Sequence, residues 1–127
     1  MSTEIEIHTF VNNNVLLLNN IQAYHWQTKS YSEHEALGTF YKSFNDLNDR
    51  FVETWQGKTN ERISFSAEYK PNIKNYSGKN VIVSEMNELI DHINYTSQKL
   101  EGHIDMQSIL EDMLETSNQL LYHLTLN

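Results

Sequence analysis

Apolar residues recur at three-to-four spacing along four stretches of this chain, and that period predicts four helices. Over residues 3–29 the stripe is Ile7, Phe10, Val11, Leu17, Leu18, Ile21 and Tyr24. Asn12, Asn13, Asn14, Asn19 and Asn20 interrupt it. Asn is a weak helix former, so packing must hold this first helix. Over residues 32–57 the stripe is Leu37, Phe40, Tyr41, Phe44, Leu47, Phe51 and Trp55, with Gly57 as the expected stop. Met86, Leu89, Ile90, Ile93 and Leu100 mark a third helix over 83–101, ended by Gly102. Asp105 reads as the N-cap of a fourth over 105–125. Its period is the most regular: Met106, Ile109, Leu110, Met113, Leu114, Ser117, Leu120, Leu121 and Leu124.

The period disappears between residues 58 and 80, where Pro71, Gly78 and several Asn and Ser fall. A short strand-like or helical piece is expected around Ile63 to Tyr69. Connections that run short, long, short join two helical hairpins by one crossover. The expected fold class is therefore all-α, a ferritin-like four-helix bundle with a long crossover between helices 2 and 3. A length of 127 residues with 39% hydrophobic content suits a single domain with one core. Only 4 Gly and 1 Pro argue against a sandwich or barrel rich in tight turns.

Charge narrows the partners. The formal net charge is −8 and the first basic residue is Lys29, so there is no basic N-terminal arm. Such a surface repels phosphate backbones and anionic lipid, which argues against DNA binding and against a membrane partner. Cysteine is absent, which removes disulfides and thiolate metal sites and fits a reducing cytoplasm. Met1-Ser2-Thr3-Glu4 lacks the charged and apolar regions of a signal peptide, so a cytoplasmic location is expected. The longest apolar run, Val15 to Leu18, is far too short to span a bilayer.

Candidate chemistry rests on histidines and carboxylates. A di-iron centre inside one bundle takes Glu-x-x-His from two helices. No such spacing occurs here, and no acid lies between Glu6 and Glu33. Another grouping remains. With His34 at 0°, Gly38 falls near ~40°, Asp49 near ~60° and Glu53 near ~100°, while the apolar stripe centres near ~280°. His34, Asp49 and Glu53 thus share a flank outside the core, yet His34 lies about 22 Å from Asp49 along the axis. Two second helices packed antiparallel about a dyad near residues 41 to 46 bring His34 of one level with Asp49 and Glu53 of the other. His25, just across the short turn, adds a ligand at similar height. Imidazole with carboxylate suits iron or zinc. Taken singly, each His is an ordinary surface or interface residue, and Asp49 with Glu53 is an ordinary solvated helix face.

The stretch from His25-Trp26 through His34-Glu35 to Asp49-x-x-x-Glu53 resembles the Dps family of miniferritins. Lys74-Asn75-Tyr76 and the last helix, opened by Asp105 and closed by Tyr122, are similar too. The resemblance implies a hollow dodecamer in which His25 and His34 of one subunit face Asp49 and Glu53 of its two-fold mate. It implies oxidation of ferrous iron there, preferably by peroxide, as iron storage and protection. Two departures stand out: Gly38 occupies the position where the family usually has Asp, and His25 to His34 is about three residues shorter than usual. The alternative expectation is a divergent, phage-encoded relative that kept the fold as a non-enzymatic assembly or interaction protein and lost the ferroxidase activity.

Overall fold

The computed structural model describes residues 3–66 and 73–126, and it is all-helical, with no strand among them. Its helices are α1 (Thr3–Gln27), α2 (Tyr31–Thr59), α3 (Lys79–Lys99) and α4 (Ile104–His123). They form a four-helix bundle. None is long and apolar enough to cross a membrane.

Helix ends differ from the sequence expectation where the capping chemistry differs. α2 opens with Ser30, whose hydroxyl accepts the Glu33 backbone N–H at 3.3 Å. It runs through Gly57 and stops at Asn60, which takes the left-handed conformation at φ 59°. Asn tolerates that region because its short polar side chain adds little steric cost. Asp105 is not an N-cap: His103 holds that position without a side-chain cap bond. Asp105 instead sits inside the first turn, where its carboxylate takes the Lys58 ammonium at 3.0 Å. Lys58 and the Met106 N–H hold the Asp105 carboxyl below its ordinary range. α3 begins at Lys79 rather than near 83. Residues 63–66 form neither helix nor strand, and 67–69 of the expected short piece lie outside the described residues.

The core takes the expected stripes. Ile7, Phe40, Phe44, Phe51, Met86, Met106 and Met113 are buried together, joined by Ile82, which lies outside the expected third helix. Leu17, Tyr41, Leu47, Leu114 and Leu121, also expected inside, pack at its margin. One polar contact crosses it, where the Asn14 side-chain amide donates to Asn48 Oδ1 at 3.0 Å. Helix α1 packs on α2 and α3, and α4 packs on the same two, while the pairs α1/α4 and α2/α3 lie across the diagonals. Tyr24 meets Glu85 near one end, and Tyr95 meets Glu6 near the other. Helix α3 therefore runs antiparallel to α1.

The asparagines of α1 have a use. Asn12 accepts the Ser66 N–H at 3.1 Å and donates to the Ser64 carbonyl at 2.9 Å. Asn20 accepts the Lys74 N–H at 2.8 Å. His8 Nδ1 accepts the Ser64 N–H, and Gln27 accepts the Tyr76 N–H. These polar side chains follow one another along α1, and the two described parts of the α2–α3 connection lie against them. Backbone groups outside regular structure need such partners. The residues that weaken α1 as an isolated helix thus satisfy the backbone laid beside it.

Candidate functional site

Three residues, 28–30, turn the chain from α1 into α2. The Thr28 N–H bonds the Tyr24 carbonyl and the His34 N–H bonds the Ser30 carbonyl, both at 3.0 Å. This tight turn brings His25, in the last turn of α1, against His34, in the first turns of α2. Their rings stack with centroids 3.8 Å apart and planes 13° from parallel.

Each ring is held by the other residue's backbone. His25 Nδ1 lies 2.6 Å from the His34 carbonyl oxygen, and His34 Nδ1 lies 2.7 Å from the His25 carbonyl oxygen. A carbonyl can only accept, so both Nδ1 atoms carry the proton. In the neutral rings each Nε2 then keeps its lone pair. A histidine fixed through one nitrogen by a backbone carbonyl is the usual form of a metal-ligating imidazole.

Gly38, one turn beyond His34, completes this arrangement. A Cβ there would stand 2.9 Å from Cε1 and 3.2 Å from Nδ1 of His25. The imidazole occupies the space a side chain would need. Together with Gln22, Trp26, Tyr41 and Lys42, His25 and Gly38 line a small cleft of about 220 Å³ on the α1/α2 face. Trp26 stands out at its edge, 69% exposed. Packing in the core of the bundle, the ordinary role for a tryptophan, is therefore not what Trp26 does.

Asp49 and Glu53 lie exposed on α2, one turn apart. Within one chain they are far from the histidines, about 22 Å for His34 to Asp49 along a straight helix. No group of three or more His, Asp or Glu side chains among the described residues is close enough to hold a metal. The structure thus brings together His25 and His34, leaves Asp49 and Glu53 as a separate pair, and keeps Glu35 exposed.

Sequence reasoning overlooked Glu33. It is buried behind the turn, where its carboxylate takes the Tyr76 hydroxyl at 2.7 Å. That hydrogen bond, more than burial, raises the Tyr76 phenol above its ordinary pKa. Tyr76 meets Tyr24 edge-on at 6.3 Å, and Tyr24 donates to Glu85 at 2.7 Å. Burial and that carboxylate push the Tyr24 phenol far up, so it stays protonated. The only sequence signal for this chain of contacts was Lys74-Asn75-Tyr76, noticed for its similarity and not for its bonding.

The family of unknown function DUF5856 matches residues 25–124, a span that takes in His25, His34, Asp49 and Glu53. No curated protein and no solved structure matches the chain.

Proposed function

Because the chain belongs to this DUF5856 family, whose description carries no activity, we propose a function from its own residues: a ferritin-like, Dps-like assembly that binds iron between two-fold-related copies and oxidises it there. Iron is the substrate, and zinc or another divalent ion is able to occupy the same ligands. The observation that carries this reading is the His25–His34 clamp. Each imidazole is held through Nδ1, which leaves its Nε2 for a metal; because the stacked rings keep those lone pairs in separate, nearly parallel planes, one ring must turn before both reach a single ion. His25 and His34 of one copy bind with Asp49 and Glu53 of its mate, whose exposed position leaves them free for that contact. The carboxylates favour the ferric product. Peroxide takes one electron from each of two ferrous ions and two protons from solvent, its O–O bond breaks, and it leaves as two waters.

The wiring supports the ferritin-like part. Hairpins α1–α2 and α3–α4, diagonal α1/α4 and α2/α3 pairs, and a connection whose described ends lie along α1 fit a long crossover between the second and third helices. Exposed Trp26 and Tyr31 beside the clamp favour a covering copy, in an antiparallel dimer and then a dodecamer.

The test mixes two defects. His34→Ala and Glu53→Ala should each abolish peroxide-dependent iron oxidation and leave the assembly intact by light scattering. Reassembly of the two variants together should restore part of the activity, because some interfaces pair the intact halves. An iron-soaked crystal should give anomalous signal on the dyad. A second reading, an assembly that kept the fold without oxidation chemistry, is favoured by Gly38, since an Asp there collides with the His25 ring as it lies. Wild-type protein with no oxidation above buffer and no metal at the dyad would establish that second reading.

A further inference from the structure

Two tyrosine–carboxylate contacts behind the turn take no part in the clamp. Tyr24 donates its phenol O–H to Glu85 and Tyr76 donates its own to Glu33, each at 2.7 Å. The two rings meet edge-on with centroids 6.3 Å apart. Carboxylate, phenol, phenol and carboxylate thus form one unit, drawn from α3, α1, the α2–α3 connection and α2. Tyr24 is 1% exposed, whereas Tyr76 is only partly covered.

A buried phenol is satisfied by any acceptor, and a neutral carbonyl costs less to bury than a carboxylate. A carboxylate adds the ability to take the proton outright, across a bond already within transfer distance. That matters when a phenol loses an electron. The cation radical left behind is strongly acidic, and an uncompensated positive charge is costly in an apolar interior. With a base in contact, electron and proton leave together and a neutral phenoxyl radical remains. Tyr95 is a built-in comparison. It too donates to a carboxylate, Glu6, at 2.7 Å. The Lys99 ammonium, however, stands 5.3 Å from its ring centroid, and a cation over the ring opposes loss of an electron.

We propose that Tyr24 and Tyr76 form a redox-active pair that yields one electron to strong one-electron oxidants, the class that ferrous iron makes from peroxide, and holds the resulting radical inside the bundle. Tyr76, the partly exposed member, loses an electron to the oxidant and its proton to Glu33. Tyr24 then gives an electron to Tyr76 and a proton to Glu85, while Glu33 hands the first proton back. The radical comes to rest on the buried ring. A thiol in solvent returns one electron through Tyr76, Glu85 returns the proton to Tyr24, and the thiol proton goes to solvent. A hydroxyl radical reduced in this way takes one proton from solvent and leaves as water. None of these steps needs a metal at the clamp.

The test uses the full chain without iron. Photogenerated tris(bipyridine)ruthenium(III) is the oxidant, with a cobalt(III) ammine as terminal acceptor. Transient absorption and electron paramagnetic resonance follow the neutral phenoxyl radical. In the wild type it should live at least tenfold longer than in Tyr24→Phe. Tyr76→Phe should lower its yield severalfold, and Tyr95→Phe should alter neither yield nor lifetime. Glu85→Gln keeps a hydrogen-bond acceptor but removes the base, so it should shorten the lifetime as Tyr24→Phe does, with helical circular dichroism unchanged. It decides the matter if Tyr24→Phe fails to fold. Equal lifetimes in the wild type, Tyr24→Phe and Glu85→Gln would show that these bonds only hold the fold, and would overturn the proposal. So would a radical that disappears with Tyr95→Phe, because its electron would then come from elsewhere.

Discussion

Gly38→Ala tests the histidine clamp directly, because two opposite effects fall on one methyl group. In a helix interior, Ala is favoured over Gly by about 1 kcal/mol. Against that, the new Cβ would stand 2.9 Å from His25 Cε1, closer than carbon atoms approach. The ring cannot simply swing away, since Nδ1 is bonded to the His34 carbonyl and the plane is stacked on His34. Losing that bond costs about 1 kcal/mol, and losing the stack about 1 kcal/mol more. Gly38→Ala should therefore destabilise the protein by about 1 kcal/mol, a drop of roughly 4 °C in melting temperature for a chain of this size. In a His25→Ala background the obstacle is gone, and the same change should stabilise by about 1 kcal/mol. The double-mutant cycle thus carries a coupling of about 2 kcal/mol. Urea unfolding of the four proteins at one fixed protomer concentration measures it. If Gly38→Ala stabilises both backgrounds equally, His25 does not lie on Gly38, and the preorganised clamp is lost with it.

Three further outcomes follow from other contacts. Phe44→Ala, at a core position with 0% exposure, should cost about 3–5 kcal/mol in the same urea assay. Asn20→Ala removes the acceptor of the Lys74 N–H, so hydrogen exchange should quicken over residues 73–76 while α2 and α4 keep their protection. The Tyr24 and Tyr76 phenols are raised from the ordinary value of 10.0, so the folded state binds their protons more tightly than the unfolded state. Their contribution is fully present below pH 10.0 and is lost as pH rises above it. Tyr24→Phe and Tyr76→Phe should both flatten the alkaline loss of stability, and an unchanged slope would contradict the Tyr–Glu pairings.

Most of the bundle was legible because its helices bury long, regular stripes. Phe40, Phe44, Phe51 and Trp55 fall on one side of α2 by period alone, and all four are buried. The ends were harder, since caps depend on geometry that residue type only partly determines. Gly57 has the composition of a stop but lies within α2, because the left-handed residue that ends the helix is Asn60. Asp105 has the composition of a cap but is drawn into a pair with Lys58, 47 residues away. Likewise, Asn12 and Asn20 count against α1 when helix propensity is scored locally. Their favourable contribution is to Ser66 and Lys74, 54 residues distant in each case, and no local window contains it.

The candidate site shows the same division more sharply. Residue types and spacing pointed to His25 and His34 as neighbours across a short turn, and the structure stacks them. Spacing says nothing, however, about which imidazole nitrogen is engaged, and that decides what the pair is able to bind. Against the Dps pattern that the chain resembles, Gly38 reads as a subtraction, a position where that family usually has a carboxylate. In the structure it is the condition for the clamp. The turn between the two helices is short, so His25 is held close against α2, and the one residue it presses upon must lack a side chain. On the proposed Dps-like reading, the shortened spacing and the missing carboxylate then have one cause instead of two. It follows that restoring the carboxylate alone should not repair an iron site: Gly38→Asp should displace His25 and lower metal affinity. Only lengthening the turn by about three residues together with Gly38→Asp should raise it. Isothermal titration with ferrous iron under anaerobic conditions compares the three proteins, and tighter binding by Gly38→Asp alone would show that the two departures are independent after all.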